Sequence, residues 1–132
     1  MKALCIRQPY ADGVVFGEKT IEVRTWPTDH RGELLITSAV KPTLDGYPCG
    51  YLLGAVEVVD CRPMQPEDAA AAFCDYAPGL YAWVLSNPRC LHECPPVTSR
   101  QGLFDLAVEL RDLPLIDGRQ YTGPSDPPVP PA

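Results

Sequence analysis

Lys19, Glu22 and Arg24 bring an ammonium, a carboxylate and a guanidinium together in the stretch Gly17-Glu18-Lys19-Thr20-Ile21-Glu22-Val23-Arg24-Thr25-Trp26. Residues two apart on a strand point to the same face, about 6–7 Å apart at the backbone, so Glu22 and Arg24 can pair and hold each other's rotamers. A fixed fork of donors beside a fixed acceptor suits a planar heterocycle with exocyclic carbonyl and amine groups, such as a nucleobase. Tyr10, Trp26 and Tyr81 are the rings that could stack on its faces. Read as an enzyme, the set offers other chemistry. A partly desolvated Lys19 beside Arg24 could act as base or nucleophile, and Glu22 could pass a proton to a leaving amine. Plain structural roles use the same residues: a solvated edge strand, a Lys19–Glu22 bridge closing a bend, and aromatics that fill the core.

The elements around this stretch follow from periodicity and punctuation. Gly17 can end a helix in the left-handed conformation. The strand that follows turns Ile21 and Val23 one way and Thr20, Glu22, Arg24 and Trp26 the other. Upstream, Lys2 to Arg7 is apolar on both faces like a buried strand. Gln8-Pro9-Tyr10 starts a short helix reaching Phe16, which Gly13 weakens by ~1 kcal/mol relative to alanine. Downstream, Trp26 to Gly32 is a turn region. Glu33 to Ser38 is a strand expected to form a hairpin with its predecessor, Val40 to Gly50 a loop, and Tyr51 to Cys61 a long strand. Pro66-Glu67-Asp68 opens a second helix to about Cys74. Gly79 to Leu85 is a strand, Asn87 to Gly102 a proline-bearing loop, and Leu103 to Leu110 the last strand. The order β-α-β-β-β-α-β-β predicts an α+β fold: a small, mostly antiparallel barrel or pseudobarrel of about five to six strands with two short helices. Residues 1–112 form the expected domain. Residues 113–132 form a proline-rich tail that samples polyproline II, either an inert end or a ligand for a proline-reading protein partner.

Composition narrows the function classes. A net charge of −6 opposes a broad coat of phosphate-binding cations. The balance is uneven, however. Residues 1–41 hold slightly more cations than acids, whereas the remainder carries the acid excess, so an anionic or carbonyl-rich ligand belongs with the amino-terminal third. No apolar run approaches the roughly 18 residues of a membrane span, and Met1 to Tyr10 has no continuous signal-peptide core, which predicts a cytoplasmic protein with no membrane partner. The six cysteines then read as reduced thiols. Cys90-Leu91-His92-Glu93-Cys94 could be half of a zinc site, but it lacks C-x-x-C spacing and an obvious second half, so no metal is expected. G-x-S-x-G, H-E-x-x-H, Walker and dinucleotide fingerprints are missing from the sequence, and no cofactor is expected.

Leu4-Cys5-Ile6-Arg7-Gln8-Pro9-Tyr10-Ala11, followed by G-x-K-x-x-E-x-R from Gly17 to Arg24, resembles the ASCH domain family. Arg31 to Ile36, Gly54-Ala55-Val56, Val58 to Cys61, Tyr81-Ala82-Trp83 and Gly102-Leu103-Phe104 continue the resemblance in order, across nearly all of residues 2–110. It implies a pseudobarrel of the PUA-like superfamily, whose members bind RNA or modified bases in a cleft beside the motif. It also implies a second possibility, since some bacterial members hydrolyse 4-acetylcytidine to cytidine and acetate with a lysine, a threonine and a later glutamate. Lys19 matches that lysine. Glu22 stands at the threonine position, and Asp75 is the nearest candidate for the later acid. Other relatives are associated with ribonuclease activity or coactivator complexes. The expectation is an RNA- or nucleoside-binding protein that uses Lys19, Glu22 and Arg24, assisted by Arg7, Gln8 and Tyr10, with Trp26 and Tyr81 as further contacts. An amidohydrolase using Lys19, Glu22 and Asp75 is the alternative, and a protein-interaction module working through the groove or the tail is the third reading.

Overall fold

Strand β1 (Lys2–Ile6) buries Ala3, Leu4 and Ile6, as its two-sided apolar run requires. In the computed structural model, which describes residues 1–121, the chain continues through α1 (Tyr10–Val15), β2 (Ile21–Arg24), β3 (Gly32–Ser38) and β4 (Leu52–Pro63). A 3-10 turn (Pro66–Asp68) then runs into α2 (Ala69–Ala72), followed by β5 (Tyr81–Leu91), β6 (Leu103–Asp105) and β7 (Leu115–Asp117). The strands form one curled sheet in the order β2-β5-β4-β3-β1-β6, with β7 added to the far end of β5. Among the described residues only β1 and β3 run parallel, and the other pairs are antiparallel. The result is a half-barrel with two short helices. Leu4, Val14, Leu34, Ile36, Val56 and Trp83 fill its main core. A smaller cluster of Ile21, Met64, Ala72 and Ala82 joins α2 to β2.

Three local readings of the sequence are corrected by this topology. β2 and β3 do not form a hairpin. β2 pairs with β5, and β3 lies between β1 and β4, because the segment holding Pro27 carries the chain away from β2 and the sheet curl makes β5 the available neighbour. β5 also runs through Asn87 and Pro88, which read as loop. Its register with β4 shifts there, and Asn87 takes φ 51°, so a bulge removes the proline's missing N–H from the ladder. The last strand read from Leu103 to Leu110 is confined to Leu103–Asp105. Further on, β7 and a 3-10 turn (Gly118–Gln120) lie in what read as irregular tail. The terminal prolines from Pro124 lie outside the described residues.

Curling brings the carboxyl end of β2 towards the carboxyl end of β1. β6 covers β1 only from Lys2 to Leu4, which leaves Cys5 and Ile6 without a strand on that side. Between β2 and β1 there is no backbone ladder. The seam is crossed by a side chain instead: Arg24 Nη2 donates to the carbonyl of Cys5 at 2.9 Å.

Candidate ligand-binding cleft at the barrel seam

Helix α1 ends in a complete Schellman motif. Gly17, at φ 82°, occupies the left-handed position, Glu18 N–H donates to Gly13 O at 2.9 Å, and Gly17 N–H donates to Val14 O at 3.2 Å. Lys19 N–H also reaches Gly13 O, which fixes the bend that turns the lysine side chain inward. Its ammonium is 4 % exposed. It donates to the carbonyls of Ile21 and Ala72, the latter at 3.0 Å, and lies 3.1 Å from Glu22 Oε1. Three donors therefore meet three acceptors, one on β2, one at the end of α2 and one on the Glu22 side chain.

Glu22 is 6 % exposed and serves both neighbours. Oε1 faces Lys19, while Oε2 accepts from Arg24 Nε at 2.8 Å and stands 2.8 Å from Nη2. Because Nη2 also holds Cys5 O, Arg24 is pinned at both ends, and its Nη1 makes no hydrogen bond among the described residues. A cavity of about 460 Å³ opens over this network. Its walls include Arg7 and Tyr10 from the start of α1, Phe73 and Cys74 after α2, and Cys5 and Ala39 across the seam. Arg7 rests over the Tyr10 ring, with 5.5 Å from guanidinium carbon to ring centroid.

The other sequence-derived candidates have different positions. Gln8 is buried, and both ends of its amide are used within the fold: Nε2 donates to Asp12 Oδ1 at 2.8 Å and to Pro48 O at 2.9 Å, and Oε1 accepts from Asp12 N–H. Gln8 thus secures the first turn of α1. Burial pushes the Asp12 carboxyl above its ordinary range, and the Gln8 hydrogen bond partly offsets this. Trp26 lies edge-on to Trp83, with 4.8 Å between ring centroids, and lines an adjoining depression. Tyr81 sits opposite Arg24 in the β2–β5 register and packs against the main core. Asp75 is exposed and lines an adjoining depression beyond the end of α2, which shares Phe73 and Cys74 with the cleft. Of the Cys90–Cys94 segment, Cys90 is in the core, Cys94 Sγ donates to Leu91 O at 3.6 Å, and His92 faces Tyr121. Burial raises both thiols to about 11, so they are protonated at neutral pH.

Phe73, Cys5 and Cys74 escape the sequence reading. Phe73 has a left-handed backbone (φ 53°), a costly conformation for a non-glycine residue, and it caps α2 directly over the network. The only hint is its place at the end of an alanine run, where the helix has to stop.

Fold and site together define a PUA-like pseudobarrel with a ligand-sized cleft at its seam. The ASCH domain family is matched over residues 4–94, and the chain belongs to that family. It is similar to activating signal cointegrator 1 from Homo sapiens, at 38 % identity over 44 % of this chain and 14 % of that one. The Mus musculus protein of the same name is 32 % identical over 65 % of this chain and 19 % of its own length. The chain therefore spans less than a fifth of either relative. Among solved structures, the Y47F mutant of ZmASCH from Zymomonas mobilis superposes with a TM-score of 0.63, covering 80 % of this chain and 88 % of that one at 14 % identity, a likeness of fold. Among the described residues no helix is long and apolar enough to cross a membrane.

Proposed function

We propose that the chain binds RNA or a modified nucleoside in the seam cleft. The observation that carries this reading is the Lys19–Glu22–Arg24 network, whose polar atoms among the described residues are all engaged by one another or by backbone carbonyls except for Arg24 Nη1, set at the base of an open cavity. Such a network loses little entropy on binding, because the protein already fixes its rotamers. Arg24 Nη1 and the guanidinium of Arg7, held over the Tyr10 ring and outside every ion pair among the described residues, then supply donors for base carbonyls or phosphate, and the Phe73 ring at the end of α2 supplies a stacking surface. A cleft of this size is in the range of ~300–1,000 Å³ typical of small-ligand sites.

The hydrolytic reading has less support. Every donor of the Lys19 ammonium already has a protein acceptor, and Asp75 does not line the cleft itself but an adjoining depression that shares Phe73 and Cys74 with it. Calorimetry with the four ribonucleosides, 4-acetylcytidine and a short single-stranded RNA, combined with chromatography of the 4-acetylcytidine samples, separates the possibilities. The expected result is saturable binding that falls at least tenfold in Arg24→Ala, with 4-acetylcytidine left intact. Release of cytidine by wild type and not by Lys19→Ala would establish the amidohydrolase instead. Binding of none of these ligands would leave the protein-interaction reading.

A further inference from the structure

The seam cleft does not end at Arg24. A second depression of about 660 Å³ continues from it, and the two share Cys5, Arg24 and Ala39 as common walls. Each chamber alone is large enough for a small ligand, so together they exceed what one nucleoside needs. The far wall of the second chamber is the segment from Val97 to Gly102. That segment is anchored: Tyr51 bridges to Pro96, Val97 N–H donates to Gly50 O at 3.0 Å, and Ser99 Oγ bonds Thr37 Oγ1 at 2.7 Å. Trp26 lines the same chamber.

Charge distinguishes this groove from the rest of the molecule. Among the described residues the cationic side chains outside every ion pair are Arg7, Lys41, Arg100 and Arg111. Arg7 lines the first chamber, Arg100 lines the second, and Lys41 follows Val40 in the second chamber's wall. The groove thus holds Arg7, Lys19, Arg24 and Arg100 against the single carboxylate of Glu22, in a chain of net charge −6. Cations left unpaired along one groove of an acidic protein favour a ligand with repeated negative charge. An indole beside them adds a surface on which a base can stack.

We propose that the groove takes a single-stranded oligonucleotide: one base occupies the first chamber, the next phosphate passes Arg24, and the adjoining nucleotide lies in the second chamber against Arg100 and Trp26. This extends the nucleoside-binding reading of the first chamber and rests on it. The test is calorimetry with the four ribonucleosides and the matching ribotrinucleotides, on wild type and Arg100→Ala, with hexaglutamate as an acidic-peptide competitor. Arg100 is exposed and outside every ion pair among the described residues, so its replacement is expected to leave the fold in place, which circular dichroism checks. The expected result is that at least one trinucleotide binds tenfold or more tightly than its nucleoside, and that Arg100→Ala removes most of this gain, a loss the nucleoside does not share. Equal affinity of nucleoside and trinucleotide for wild type would overturn the second chamber's role while sparing the first. Displacement by hexaglutamate as effective as by the trinucleotide would also overturn it, by making the groove a general polyanion site. Failure of every nucleoside and trinucleotide to bind would remove the underlying reading as well.

Discussion

Glu22 carries more of the site than any other residue, since one buried carboxylate holds two cations, the buried Lys19 and the half-buried Arg24. Removing one member of a buried charge set leaves the others unpaired, at a cost on the order of 3 kcal/mol or more. Glu22→Gln is therefore expected to lower unfolding stability by about 3 kcal/mol in urea titrations. A change under 0.5 kcal/mol would mean the network is solvated. Asp12 carries the opposite sign. Burial raises its folded-state pKa, so between the ordinary value of 3.8 and the raised one the unfolded chain releases a proton that the folded chain keeps, and stability falls as pH rises through that window. Asp12→Asn, which keeps an acceptor for Gln8, is expected to match or exceed wild-type thermal stability at pH 7. The difference should close below pH 3.8. A variant clearly less stable at neutral pH would show that the charge itself is needed. At this scale the Glu22–Arg24 pair was legible, because a strand's period of two places alternate residues on one face whatever the partner strand is, whereas Lys19 joins them through the bend after Gly17. Gln8 was not, since nothing local distinguishes an amide that meets a ligand from one that meets Asp12 and Pro48.

Two short elements hold the network in place. The Gly17 bend sets Lys19, and its φ of 82° puts an L side chain in the strained left-handed region, where a Cβ would also meet Arg119 Cγ at 2.7 Å. Gly17→Ala is expected to cost at least about 1–2 kcal/mol and to lower the melting temperature, since the Pro88 ring, 3.0 Å from the added Cβ, cannot swing aside. No loss would mean the bend tolerates another geometry. On the other side, Asp68 joins Arg62, with Oδ1–Nη2 at 2.9 Å, and accepts from Gln65 N–H at 2.8 Å, capping the turn that leads into α2 and so to Ala72 and Phe73. The Arg62 guanidinium holds the Asp68 carboxyl below its ordinary 3.8, so this cap contributes above that value and is lost as pH falls through the lowered one. Asp68→Asn is expected to destabilise by ~1 kcal/mol at pH 7 and to weaken ligand binding through Phe73. Unchanged binding would separate α2 from the site. Both helices and the strands up to β6 were legible as elements, but β7 and the β2–β5 pairing were not. Tyr81 to Val84 lies far along the chain from Arg24 to Ile21, and only the curl of the finished sheet makes them neighbours.

Across the whole molecule, the cleft exists because the barrel does not close. Where β2 and β1 lack a ladder, Arg24 spans the gap, and the same guanidinium separates the two chambers. The half-barrel class was legible from element order and family likeness, whereas the seam depends on which strand edges meet after folding. With a net charge of −6 the rest of the surface repels polyanions, so the proposed binding in the cationic groove is expected to be salt-sensitive: a single strand neutralised at two phosphates should show a log–log salt slope of roughly −1.4. A flat dependence would exclude phosphate contacts. Whether the seam is the ligand site can be read from amide and side-chain NMR shifts of labelled protein titrated with a short single-stranded RNA. Saturable shifts are expected at Cys5, Tyr10, Lys19, Arg24 and Phe73. Shifts confined to surfaces away from these residues, or none at saturating RNA, would contradict a ligand site at the seam.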